Sequence, residues 1–494
     1  MLLVGIDLGT QTCKAVVCDE RLAVRGAHAV AYSTSYPGPD AAEQDPHAWL
    51  AALAPAIGGA LAAAGAAPAD VAAIALTGQC DGCIAVDAGG APLHPALIWQ
   101  DRRAVAEAAL VPAAAVFELT GQVADPSHMA PKVRWLRARY PAAARFHQPV
   151  SYLVERLTGE AVIDPALAST TMLLEVAAPG GPRWAQALLE AFAIAPAELP
   201  RLRGACELAG ALTADGARAT GLVPGTPVAV GTGDDFATPL GAGVIGPGPA
   251  ICAIGTAEVV GALSARPVLD RAGAEPMVET HAYPTGAFYV ENPGWLSGGA
   301  VRWAARMLGV SSDAELDALA AAAPPGAGGV TFIPALAGAM TPVWRPHARG
   351  TLHGLTAAHD RSHAARAILE GLAFAARDVI ERLIALGLPA ERVLLLGGGS
   401  RSAVWAQLRA DLLGLPHDVA ASADTCPIGA AMIAAVAAGV HGDLAAAAAF
   451  APPPARSFAP AARGGGAAEA ADAAYRRYRA LVERLAPLSE RPWA

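Results

Sequence analysis

MLLVGIDLGTQTCK, residues 1–14, is the stretch on which the fold turns. An apolar run ends at Asp7, a Gly9-Thr10 turn follows, and the chain returns through Ala15-Val16-Val17. The pattern predicts a β-hairpin with a tight, hydroxyl-rich turn and a carboxylate at its lip. Such a turn offers N–H groups and Thr hydroxyls to phosphate oxygens, and Asp7 can hold a magnesium ion directly or through water. AICAIGTAEVVGAL, at 250–263, echoes it about half-way along. Two phosphate-type hairpins in one chain predict two similar domains closing on one nucleotide.

Working outward, 494 residues exceed what one core serves, so two domains are expected. Short apolar strands at 3–6, 15–18, 74–76 and 84–86 alternate with helices, the longest near 47–64. Helices are expected over 132–140 and 150–158. A strand at 227–230 runs into Gly231-Thr232-Gly233 and then Asp234-Asp235. The second half repeats the order: a strand–Gly-Thr–strand at 251–260, helices over 298–308 and 362–386, and a strand at 392–396 ending in Gly397-Gly398-Gly399-Ser400. Further helices begin near 403 and span 427–438. This places a first domain at 1–243 and a second at 244–445. An Ala/Pro/Gly linker with an amphipathic helix fills 446–494, with Tyr475, Tyr478 and Leu481 on one face.

A net charge of −9 and the lack of a basic stripe exclude a nucleic-acid surface. The alanine-rich run 51–76 is broken by Pro55, Gly58-Gly59, Pro68 and Asp70, so it reads as two helices or a helix and a strand, not a membrane span. The start carries no basic n-region or cleavage site, and seven scattered cysteines fit reduced thiols, so a cytoplasmic location is expected. Cys80 and Cys83 form a CxxC with no second pair or nearby His to complete a metal site, and it reads as coincidence. His359 and His363 lie four apart without an HExxH and read as helix-surface residues. Lys14 and Lys132 are the only lysines, and a compact ammonium can reach a phosphate where a guanidinium does not fit.

Neither lysine has P-loop spacing, which excludes that class, and 394–408 lacks the second half of GxGxxG, which argues against a dinucleotide fold. Its glycines suit either adenosine or phosphate binding, or a turn packed tightly on a neighbour. Asp234, in a glycine turn at a strand end, can accept a hydroxyl proton as that oxygen attacks phosphorus, help worth about 10²–10⁴ in rate. Two adjacent acids can instead cap the following helix. We assign the base to Asp234.

In order, GIDLGTQTCK (5–14), TGQCDG (77–82), IWQDRRA (98–104), APKVRWL (130–136), GTGDD (231–235), AIGTAEV (253–259), TPVWRPHARGTLHGL (341–355) and GGGSRSAVWAQLRADLLGLP (397–416) resemble the FGGY carbohydrate kinases, and within them the xylulokinase branch. The resemblance spans roughly residues 2–440. It implies an α/β fold of two RNase H-like (actin-like ATPase) domains around a central cleft, with ATP and Mg2+ as cofactors. It also implies Asp234 as base and Asp7 as metal ligand. ATP would meet Thr10, Gln11, Thr12, Lys14, Gly255, Thr256, Gly298, Gly398, Gly399 and Ala403. The sugar would meet Gln79, Cys80, Asp81, Trp99, Asp101 and Asp235. The expected reaction is phosphorylation of a ketopentose, D-xylulose or a related pentulose, to its 5-phosphate. A kinase for another neutral polyol or ketose (ribulose, erythritol, glycerol type), or a non-kinase actin-like ATPase, are the alternatives. A small-molecule dehydrogenase is a more distant one. No membrane or nucleic-acid partner is expected, and a homodimer is left open.

The sequence departs from the family pattern at three places. Gly78-Gln79-Cys80-Asp81-Gly82 replaces Gly-Gln-Met-His-Gly, Asp235 replaces Asn or Gln, and Gly338-Ala339-Met340-Thr341-Pro342 replaces Gly-Glu-Arg-Thr-Pro. An imidazole and an amide thus give way to acceptors, which favours a neutral sugar over an acidic one.

Overall fold

Two seven-stranded sheets built on one plan organise the chain, in a computed structural model that describes residues 1–273, 275–462 and 465–489. In the first sheet β1 (Leu2–Leu8) pairs antiparallel with β2 (Thr12–Cys18), which pairs antiparallel with β3 (Val24–Ala31). On its other side β1 runs parallel to β4 (Val71–Gly78). Beyond β4 lie β6 (Pro227–Ala229) and β5 (Leu208–Ala211), and β7 (Thr232–Gly233) prolongs the parallel pairing at the end of β4. The second sheet repeats this order. There β8 (Ala250–Ile254) pairs antiparallel with β9 (Ala257–Ser264), and β9 with β11 (Phe288–Leu296), with β10 (Glu279–Ala282) outermost. On the other flank β8 runs parallel to β12 (Val393–Leu396) and β12 to β13 (His417–Val419), with β14 (Arg456–Phe458) closing the edge. This repeated α/β plan is that of the actin-like ATPases.

The strands that run parallel read as near-continuous apolar segments, VLLL in β12 and VAAIALTG in β4, because both their faces are covered. The run 51–76 resolves into a helix and a strand. Helix α1 (Pro46–Ala64) is capped by Asp45, whose carboxylate accepts the His47 N–H, and ends at Gly65 in the left-handed region; β4 follows. Among the described residues α1 is the one helix long and apolar enough to cross a membrane by length and composition. It lies on β3: a Cβ on Gly26 would stand 2.2 Å from the Ala60 carbonyl oxygen.

Two helices cross where the halves of the molecule meet. Helix α2 (Asp234–Gly241) follows β7, and α4 (Thr425–Ala437) packs against α2 and β1. Glycines make the approach possible. A Cβ on Gly5 would lie 1.9 Å from the Pro427 oxygen, one on Gly241 1.9 Å from the Thr425 oxygen, and one on Gly429 2.1 Å from the Ala237 oxygen. The largest apolar cluster accordingly joins β1, β2 and β4 to Ile251, Leu394 and Ala430–Ala435.

Two sequence readings change. The stretch after 445, read as linker, contributes β14 to the second sheet; its strand signal is three residues in an Ala/Pro-rich context. Helix α5 (Gly466–Leu485) does bury Tyr475, Tyr478 and Leu481, against α3 (Arg361–Ala385), with Phe374 and Tyr478 ring centres 5.4 Å apart. Residues 463–464 and 490–494 of that segment lie outside the described residues. Lys132 meets no phosphate-type surface: it is fully buried and donates to the carbonyls of Asp81, Ile98 and Ser127, tying three loops together.

Candidate active site

The register of the first sheet brings the acids together. Asp7 stands opposite Lys14 on β2 and Thr77 on β4, and Thr77 stands opposite Thr232 on β7. One step further along, Leu8, Gly78 and Gly233 share a row, and Asp234 begins α2. The carboxyl ends of β1, β4 and β7 therefore deliver Asp7, Gln79-Cys80-Asp81 and Asp234-Asp235 to one edge, where ligands of open α/β sheets bind. Asp234 and Asp235 are the first two residues of α2, placing their carboxylates in its first turn; the N-cap is Gly233, and neither acid makes a side-chain cap bond.

Asp7 and Asp234 feel each other. Burial, then the charge of Asp234, pushes the Asp7 carboxyl up to about 7, and Asp7 Oδ1 is buried without a donor. Burial also raises Asp234, with the Asp81 charge adding and a Cys80 thiol contact (Sγ to Oδ1, 3.6 Å) opposing. Asp235 is raised well above the carboxylate range by burial and by Asp234. A glycine at 233 is required here, since its Cβ would lie 2.5 Å from Cys80 Sγ. On the far side Lys14 Nζ meets Asp424 Oδ1 at 2.5 Å, just before α4, and Cys426 Sγ lies 3.9 Å from the Asp234 carbonyl.

The hairpin turn is tied to the loop around Trp99. Trp99 Nε1 donates to Thr10 Oγ1 (3.0 Å), and Gln44 Nε2 to the Thr10 carbonyl (2.6 Å). Gln11 is exposed in the turn, and Thr12 opens β2, its carbonyl accepting from Tyr32 Oη at 3.2 Å. Gln79 and Asp101 both hold protein partners, while Gln79 Oε1 stays buried without a donor. Gln79 is 2% exposed and donates to Gln44 Oε1 (2.8 Å). Asp101 is fully buried, accepting the Ala42 N–H and the Arg103 Nε, each at 2.9 Å. Both carry the loops that present Cys80, Asp81 and Trp99.

Asp81 reaches the cleft from a left-handed backbone position (φ 60°), and its Oδ1 meets His128 Nδ1 at 2.9 Å. Around His128 the Thr170 and Val123 carbonyls, 3.1 Å from Nδ1 and Nε2, are also acceptors. Burial opposes a charge on this imidazole, but Asp81 and then Glu279 raise it well above its ordinary value, so it stands as a cation. Burial likewise opposes ionisation of Glu279, yet His128 and His281 hold it down to about 2. An imidazole absent from position 81 is thus supplied at 128. His128, Glu279, His281 and Glu291 escaped the sequence reading because they come from distant segments with no local motif.

The nucleotide-side candidates form a second group. Gly255 and Thr256 are exposed at the β8–β9 turn, and Arg302 Nη2 donates to Thr256 Oγ1 (3.1 Å). Gly298, at the start of helix Gly298–Leu308, abuts this turn: its Cβ would lie 2.2 Å from the Gly255 oxygen. The Gly399 Cβ would meet Ile254 Cγ2 at 2.2 Å, whereas a Cβ on Gly398 would meet open space. Ala403 begins helix Ala403–Leu413, capped by Ser402. The triple glycine thus packs tightly at 399 and leaves open space beside 398. All seven cysteines are free; His359, just before α3, contacts the Gly328 carbonyl, and His363, in its first turn, contacts Asp360.

Residues 2–241 match the N-terminal domain, and residues 250–438 the C-terminal domain, of the FGGY family of carbohydrate kinases. A xylulose kinase of Escherichia coli (strain K12) is 33% identical over 448 residues, covering 88% of this chain and 90% of that protein. A glycerol kinase of Citrifermentans bemidjiense is 32% identical over 469 residues, covering 89% and 90%. The crystal structure of a xyloylose kinase from Brucella ovis superposes with a TM-score of 0.89 at 31% identity, covering 99% of this chain and 100% of that one. That of a xylulose kinase from Rhodospirillum rubrum gives 0.86 at 28%, covering 99% and 100%. Neither the non-kinase ATPase nor the dehydrogenase reading survives matches to kinase domains over both halves. With its paired sheets, its acids gathered at one edge and its whole length matched, the chain belongs to the FGGY family of carbohydrate kinases.

Proposed function

We propose that this kinase phosphorylates the 5-hydroxyl of a neutral ketopentose, D-xylulose or a related pentulose, using ATP and Mg2+. The observation that carries the reading is the approach of Asp7 and Asp234 at the ends of β1 and β7, close enough that the charge of one raises the pKa of the other. Asp234 takes the proton of the attacking hydroxyl, and a raised pKa suits a base working near neutrality. Asp7 fits a magnesium site, being a hard oxygen donor with an orphaned Oδ1, and the ion would supply charge neutralisation at the phosphates. Gly255, Thr256, Gly298, Gly398 and Ala403 offer an open, backbone-rich surface for the nucleotide. Cys80, Asp81, Trp99 and Asp235 offer the sugar face, with Gln79 and Asp101 holding their loops. We place the domain limits at 1–243 and 244–445, with β14 and α5 adding to the second from beyond 445, and the seven free thiols favour the cytoplasm.

Glycerol kinases stand at much the same identity as xylulose kinases, which makes a smaller polyol the second reading. Coupled ADP release against D-xylulose, D-ribulose, L-ribulose, L-xylulose, glycerol, erythritol, xylitol, D-arabinitol and gluconate decides between them. Highest kcat/KM on a pentulose is expected. A preference for glycerol or erythritol replaces the substrate, and a preference for gluconate overturns the neutral-sugar reading.

A further inference from the structure

Cys80 Sγ, Asp234 and Asp235 each offer a ligand atom, and these atoms lie within 4.8 Å of one another. The 3.6 Å between Cys80 Sγ and Asp234 Oδ1 is close to the about 3.5 Å separating sulfur and oxygen ligands on a tetrahedral zinc with Zn–S of about 2.3 Å and Zn–O of about 2.0 Å. A second observation points the same way. Glu291, on β11, is 2% exposed, its Oε2 finds no donor, and its strongest charged neighbour is Asp235. His128 stands beside Asp81 and Glu279, and His281 Nε2 lies 3.6 Å from Glu291 Oε1, but among the described residues no ion pair reaches Asp234 or Asp235. Two of the three donors, Cys80 and Asp235, are the residues by which the sequence departs from the family pattern.

We propose that Cys80, Asp234 and Asp235 form a binding site for a thiophilic divalent cation of the zinc class, and that its occupation blocks the kinase. Binding exchanges protons for the metal: the Cys80 S–H bond and the O–H bond of the Asp235 carboxyl break, both protons leave to solvent, and sulfur and two carboxylate oxygens coordinate the ion. The fourth position stays open to water or a sugar hydroxyl. Thiolate selects zinc or cobalt over magnesium, which prefers an all-oxygen shell, so this site is distinct from the one at Asp7. The inhibitory part rests on Asp234 being the base; the binding part does not.

Cobalt(II) reads the site directly in the full-length protein. One equivalent is expected to give a thiolate-to-cobalt charge-transfer absorption, displaced by zinc and not by excess magnesium. Cys80→Ser should abolish that absorption, while Cys426→Ser and Cys206→Ser keep it. Asp235→Asn, which retains the thiol and serves if Cys80→Ser folds poorly by circular dichroism, should weaken binding roughly tenfold to a hundredfold. Absence of the band in the unaltered protein, its persistence in Cys80→Ser, its loss in Cys426→Ser, or unchanged affinity in Asp235→Asn overturns the site. In the kinase assay zinc should inhibit competitively with the sugar, reversed by a chelator. A correct cobalt signature without inhibition overturns the inhibitory claim alone, and failure of every sugar to release ADP sinks the substrate reading while the cobalt titration still decides the site.

Discussion

The two hairpins, β1–β2 and β8–β9, share a topology and treat their carboxylates in opposite ways. Asp7 faces the cleft with one oxygen unpartnered and its pKa raised to about 7. Glu258, on β9, is fully buried and closed off: Arg409 pairs with both its oxygens and Ser297 Oγ donates to it at 2.7 Å. Arg409 belongs to the helix beginning at Ala403, so the ion pair clamps the second hairpin to that helix. Such a pair does little for stability beyond what an apolar substitute would do, but breaking it strands a charge. One hairpin is left electrostatically unfinished; the other is neutralised and offers backbone.

The sharpest way to break this contrast is Asp234→Asn. Turnover should fall about 10²–10⁴-fold while ATP binding, measured by calorimetry, persists; near-normal kcat would reject the base. Thr256→Val tests the second hairpin. Loss of a hydrogen bond to a charged phosphate, about 1.5–3 kcal/mol, should raise the ATP KM about tenfold or more and leave the sugar KM unchanged. A matched rise in both constants would show that the hairpins do not divide the work. The pH profile separates them again. Because Asp7 and Asp234 have raised pKa values, about 7 and about 6, each gains its proton as pH falls, so kcat/KM should decline on the acid side between about pH 6 and 7 rather than near the ordinary carboxylate value of about 4. Thr256→Val should keep that limb unchanged. The smallest effect is reserved for Asp424→Asn: its pair with Lys14 is one-third exposed on each side, so thermal stability should shift by about 0–1 kcal/mol.

Both hairpins, α1, the Gly298–Leu308 helix and the Asp234 turn could be read from the sequence because each is a local signal: an apolar period, a glycine turn, a cap. What escaped is what only three dimensions bring together. His128 lies 47 residues from Asp81, and Glu279 reaches Val123 across 156 residues, its carboxylate accepting the Val123 N–H at 2.8 Å. Lys132 drew attention as a rare lysine, but a buried ammonium surrounded by three carbonyls looks, in sequence, the same as one facing a phosphate. Nor does the local sequence announce that the Asp101 carboxylate is claimed by Arg103, two residues on. Strands β10 and β11 lack strict alternation because they carry Glu279, His281 and Glu291 inward, against the usual binary pattern.

Gly5, Gly241 and Gly429 have a mechanical meaning. Where α4 meets α2 and β1, main chain rests directly on main chain at these three glycines. These contacts leave no room for a side chain, and the helix they seat begins with Asp234. A single methyl group at any of the three positions would act as a shim, lifting one half off the other and carrying the acidic pair at 234 and 235 with it.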